Sequence, residues 1–207
     1  MVLNDTLYIN PFGESYTITK CRYYITNIKL NYSKGVVKES NSYHLIDETI
    51  PQSQSFIIKA IPGNYNSITF MLGVDSLHNV SGAQSGALDP LNDMFWTWNS
   101  GYVMAKLEGI SPFSKLQNNI FEYHIGGFKG LNKVVKNITL NFPLNKKLIV
   151  QKAGIHEILI QADINEWWKG GLDLKIAVNP SITSPGYMAK MISENYTKMF
   201  VVKKVSE

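Results

Sequence analysis

The side chains of this 207-residue chain best suited to chemistry are imidazoles and indoles. Imidazole is a common nitrogen ligand for zinc and copper, and there are four histidines, His44, His78, His124 and His156. His44 and His156 stand in ordinary strand patterns, where a hydrogen-bonded histidine is the simplest reading. His78 lies in "SLHNVSGAQSGALDPLND", a stretch dense in Gly, Ser, Asn and Asp. His124 is followed by Ile125, Gly126 and Gly127, where glycines let the backbone come close to a neighbour or a ligand. Spacing leaves open whether these two imidazoles share a metal or make separate hydrogen bonds.

Between them runs "DMFWTWNSGY", residues 93–102. A period of two puts Met94, Trp96 and Trp98 on one face of a strand and Phe95 and Thr97 on the other. Met94 offers a soft thioether of the kind that suits Cu(I), and an electron-rich indole beside a redox metal is a target for oxidation. The same side chains would serve as core, since large aromatics mainly contribute buried area. Asp75, Asp89 and Asp93 flank the loop. They would form an oxygen-rich cation site or an acid/base pair, or cap turns through hydrogen bonds to nearby amides, the commoner role of loop aspartates.

Other chemistries have little support. The sequence contains no G-x-S-x-G, H-E-x-x-H, P-loop or G-x-G-x-x-G pattern, and the expectation is a protein that is not an enzyme. Its single cysteine, Cys21, rules out an intramolecular disulfide and every multi-cysteine zinc pattern. The 20 basic and 16 acidic residues give a net charge of +4, with lysines scattered singly rather than gathered into a footprint for a nucleic acid. No apolar run approaches the roughly 18 residues of a membrane span, and the first thirty residues lack the pattern of a signal peptide. The chain is therefore either cytoplasmic or exported with its signal segment already removed.

The elements that would hold these residues are mostly strands. Hydrophobic residues make up 44% and charged residues 17%, ample for one core, and one domain over residues 1–207 is expected. Period-two or β-branched runs are read at 16–32, 42–47, 55–61, 65–75, 94–109, 120–128, 134–142, 147–152, 156–168 and 172–178. In the first, Tyr16, Ile18, Tyr24, Thr26, Ile28 and Leu30 share the even positions. Residues 76–93 form an ordered loop, long enough to suggest a function. A helical stripe near 186–197 follows Pro185. The fold class is all-β, an antiparallel β-sandwich with a short C-terminal helix.

Taken in order, "YYITNIKL", "YHLID", "IPGNY", "GVDSLHNVSGAQSGALDPLNDMFWTWNSGYVMAKLEG" and "YHIGG" resemble the MbnP-like family, copper-binding proteins first associated with methanobactin operons. The resemblance spans roughly residues 16–200 and looks closer to the Bacteroidetes-type branch, whose members are often lipoproteins with no methanobactin to handle. It implies a sandwich exported to the periplasm or cell surface, with copper held by two histidines close to a tryptophan. In related methanotroph proteins that tryptophan is oxidised to kynurenine, and a dihaem cytochrome of the peroxidase type is the linked partner. Carried over by motif, His124 of "YHIGG" and His78 of "LHN" are the ligands, and Trp96 or Trp98 is the adjacent indole. The alternative function is a surface module that recognises a glycan or a protein through the 76–93 loop and the tryptophan strand.

Overall fold

The structure is a computed structural model that describes residues 1–97, 99–143 and 146–206. The first half holds β1 (Tyr8–Ile9), β2 (Ser15–Tyr32), β3 (Gly35–Lys38), β4 (Tyr43–Asp47), β5 (Gly63–Leu72), α1 (Ser76–Val80) and β6 (Phe95–Thr97). The second holds β7 (Gly101–Ile110), β8 (Ile120–Gly126), β9 (Lys136–Asn141), β10 (Leu148–Val150), β11 (Ile158–Ala162), β12 (Ser181–Ile182), α2 (Tyr187–Tyr196) and β13 (Phe200–Val205). Strands dominate and the C-terminal helix falls where the sequence placed it.

The main sheet runs β10-β5-β2-β7-β8-β12, with β1, β3 and β4 also pairing β2, β6 pairing β7 and β9 pairing β5. Its pairs are antiparallel except the short β12–β8 contact. The β11–β13 ribbon forms a second sheet. Phe200 of β13 packs edge-on against Tyr23 of β2 and Phe70 of β5, which closes the core of a β-sandwich.

Strand β2 is one continuous 18-residue element, and its faces do not alternate as the sequence suggests. Register shifts lie between Ile18 and Lys20 and between Thr26 and Lys29. A bulged residue reverses the side to which later side chains point. Burial accordingly moves from Tyr16 and Ile18 to Cys21, Tyr23 and Ile25, and then to Ile28 and Leu30. Tyr24 and Thr26 are also fully buried, with Tyr24 edge-on to Tyr102 and the Thr26 hydroxyl donating to the Gly73 carbonyl.

Several expected strands are corrected. Residues 55–61 form none; Phe56 instead stacks on the His44 ring at 3.7 Å, and Ile57 is exposed. Residues 172–178 form none either, because the amides of Ile176 and Ala177 are taken by the Glu14 carboxylate at 2.7 and 2.9 Å. The 94–109 run is a tight hairpin of β6 and β7 rather than one strand. The 156–168 strand stops at Ala162, where the Asp163 side chain accepts from the Asn165 amide and opens a helical turn that buries Trp167.

Candidate functional site

The loop 76–93 is ordered because its polar side chains satisfy its own backbone. The Asp75 carboxylate accepts from the His78 amide at 3.0 Å and starts α1. Asp89 does the same for the Leu91 amide at 2.9 Å. Capping, the bland reading of these two aspartates, is what the structure shows. Asn79, fully buried, pins α1 to the sheet: its Oδ1 accepts from the Tyr102 amide, and its Nδ2 donates to the carbonyls of Val74 and Asp75. The Tyr102 hydroxyl donates to the Leu88 carbonyl at 2.6 Å, with Leu88 buried. The loop is thereby laid over the β7 side of the sheet.

Beside it lies a row of charged side chains. His124 of β8 stands opposite Lys106 of β7, Lys106 opposite Arg22 of β2, and Arg22 opposite Asp47 of β4. Directly opposed residues of antiparallel strands share a face. On the next rung Glu108 stands opposite Lys20 on one side and Glu122 on the other. The His124 Nε2 is 2.8 Å from Glu108 Oε1, and Lys20 Nζ is 3.3 Å from Glu108 Oε2. The hydrogen bond from His124, together with Lys20, holds the Glu108 carboxyl below its ordinary range despite partial burial.

Asp93 joins the loop to this row. It has left-handed backbone, φ 58°, and its Oδ2 lies 2.9 Å from Lys106 Nζ and 3.1 Å from Lys20 Nζ. Lys106 also donates to the Asp93 carbonyl, and its side chain is only 3% exposed. Burial alone would raise the Asp93 carboxyl, but the bonds from Lys106 and Lys20 outweigh it and hold the pKa below the usual value. Asp93 thus closes the 90–92 turn with its backbone, while its carboxylate serves as counter-charge to Lys106 and Lys20, with Arg22 Nη1 at 3.8 Å.

Just beyond Asp93, Trp96 reaches the His124 strand. A Cβ on Gly126 would collide with the Trp96 six-membered ring and crowd the Tyr102 carbonyl, so the indole lies directly on the Gly126 backbone. Gly126 and His124 are two residues apart on β8 and face the same way. The half-buried Trp96 and the half-buried His124 are therefore neighbours on one face. Met94 is fully buried in the core, its carbonyl accepting from the Val103 amide. Trp98 lies outside the described residues.

His78 occupies different surroundings. Its Nδ1 is 2.7 Å from the Tyr43 hydroxyl and 3.0 Å from Asp75 Oδ1, and Tyr43 also bonds Asp75 Oδ2 at 2.5 Å. Burial would raise the Asp75 carboxyl, but Tyr43 and His78 together hold it at about 2. No described hydrogen bond or ring contact joins His78 to His124. Helix α1, which carries His78, is tied to the end of the His124 strand through Ser76, whose hydroxyl donates to the Phe128 carbonyl at 3.1 Å. Trp96 thus rests on the strand that carries His124, while His78 is engaged with Tyr43 and Asp75. Among the described residues, no three or more His, Cys, Asp or Glu side chains gather as a metal cluster.

The model of the MbnP family matches residues 1–188. The chain belongs to the MbnP family. Among solved structures, MbnP from Methylosinus trichosporium aligns at 14% identity over 67% of this chain and 68% of that one, with a TM-score of 0.45. No curated protein matches.

MbnP membership associates the chain with copper-related proteins of the periplasm. Among the described residues no helix is long and apolar enough to cross a membrane. The partners of His124, Asp93 and His78 that the sequence pattern does not reveal are Glu108, Lys106, Lys20 and Tyr43. Their roles depend on which strands pair and in what register, and no local pattern carries that. The one legible signal was Gly126, whose missing side chain makes room for Trp96.

Proposed function

We propose that this chain is an exported copper-binding protein of the bacterial envelope, with the metal taken up at His124 beside Trp96. What supports this reading is that the Trp96 ring lies against Gly126, two residues along β8 from His124. Glu108 holds the His124 Nε2, which leaves Nδ1 without a described partner. A carboxylate on one ring nitrogen and a free second nitrogen is the usual way in which proteins present imidazole to a metal. His78 has the same chemistry in mirror form, with Asp75 and Tyr43 on Nδ1 and Nε2 free. In this reading His78 and His124 each supply one imidazole donor to copper.

In this reading Trp96 is the indole exposed to oxidation by metal-linked chemistry, with a dihaem peroxidase-type cytochrome as the external oxidant, and lipid anchoring of the precursor keeps the protein at the envelope. An indole committed to the Gly126 backbone offers little stacking surface to a glycan, which favours metal over the surface-module alternative.

Equilibrium dialysis with Cu(II), followed by metal analysis, tests the proposal on the wild type, His124→Ala, His78→Ala and the double variant. His124→Ala should lose bound copper and the quenching of Trp96 emission, with Trp96→Phe as the spectral reference. Uptake should also fall as protons compete for the imidazoles in acid. Copper binding that survives in the double variant refutes the assignment.

A further inference from the structure

On the far side of Asp93 from His124, the loop and the sheet enclose a cleft of about 470 Å³, lined in part by Lys20, Arg22, Leu45, Asp47, Ile50 and Leu91. That volume falls within the range of roughly 300–1,000 Å³ typical of small-ligand sites. Its floor is a guanidinium with capacity to spare. Arg22 Nε is committed to Asp47 Oδ2 at 2.6 Å. Nη1 donates to the Asn92 carbonyl at 3.0 Å, while Nη2 has no partner among the described residues. Lys20 spends two contacts, on Asp93 and Glu108, and keeps a third N–H.

The walls are of the opposite character. Leu91 is 92% exposed at the 90–92 turn, and Ile50, on the same lining, is half exposed. Two large apolar side chains flank two under-used cationic groups, which calls for a ligand with an anionic end and a short hydrocarbon end. The flanking Asp47 and Asp93 limit the charge that fits. A phosphate dianion would meet two carboxylates, and a cation would meet Arg22. A carboxylate matches the planar N–H fork of a guanidinium.

We propose that this cleft binds a small aliphatic carboxylate, its carboxyl group on Arg22 and Lys20 and its tail between Ile50 and Leu91. The site is separate from the copper reading and stands or falls without it.

The test is an NMR titration of the intact, metal-free chain with 4-methylpentanoate, using acetate and 3-methylbutylamine as comparison probes. Saturable shifts are expected at Arg22, Ile50 and Leu91, with acetate about tenfold weaker or worse and no site-specific shift from the amine. Leu91→Ser, at a position that supports no core, should weaken 4-methylpentanoate about threefold or more, and Ile50→Ser should act in the same direction. Arg22→Gln should abolish binding. Should Arg22→Gln fail to fold, the two wall variants decide. The proposal is overturned by a wild-type titration that does not saturate, by an amine that binds as well as the acid, or by wall variants with unchanged affinity.

Discussion

Asp93→Asn isolates the charge that ties the loop to the sheet. Asparagine has nearly the same size and tolerates the left-handed backbone at φ 58°, so the substitution removes charge with little else. It leaves Lys106, 3% exposed, with a neutral amide oxygen in place of the carboxylate, beside the backbone carbonyl of residue 93 and a Glu108 oxygen at 3.9 Å. Breaking a fully buried pair costs about 3–5 kcal/mol, and an exposed one about 0–1 kcal/mol. The Asp93 side chain is 62% exposed while its partner is buried, so an intermediate loss of about 2 kcal/mol is expected. For a chain of this length that corresponds to a fall in Tm of about 4–8 °C. Urea unfolding at about pH 7 and about pH 3 supplies the check. Because the folded-state pKa of Asp93 is depressed, its contribution is present above the unfolded carboxylate value and lost as pH falls through the folded one. The two proteins should therefore differ at neutral pH and converge in acid. A neutral-pH difference below about 0.5 kcal/mol, or an equal difference at both pH values, refutes the reasoning.

Gly126→Ala should push the Trp96 indole off its seat, cost about 1–3 kcal/mol by overpacking and shift tryptophan emission; an unchanged spectrum and stability would show that the indole does not rest there. The Cys21 thiol, buried and pushed well above its usual pKa chiefly by desolvation, should resist thiol reagents in the native state and react only at the rate of unfolding. Prompt labelling of the folded protein would contradict its place in the core.

The parts of the fold that were legible are those in which local pattern and tertiary use agree. Strand β8 and helix α2 keep one buried face in a regular period, and their segments were read correctly. Strand β2 was read as alternating because nothing in "YTITKCRYYITNIKLNY" announces a bulge; the register shifts arise from pairing with β5 and β7. Residues 172–178 look like a strand by composition, yet Glu14, more than 150 positions away, claims their amides. The same limit applies to the site. The glycines after His124 signalled a close approach, and Trp96 makes it. The Glu108–His124 bond and the clamp on Asp93 exist only once β2, β7 and β8 are in register. Tyr43 joins His78 through a loop whose course depends on Asn79, a buried amide in a stretch that reads as polar.

Strand β2 meets β1 and β3 nearby but pairs Thr17 with Ile110 and Tyr23 with Ala105. A chain emerging from its amino end would therefore show one long, bare-edged strand well before the segment that covers it is made. Such an edge invites pairing with other chains, and distant pairing closes slowly. The spine that unites the finished sheet is thus the stretch most in need of shelter while the molecule is incomplete.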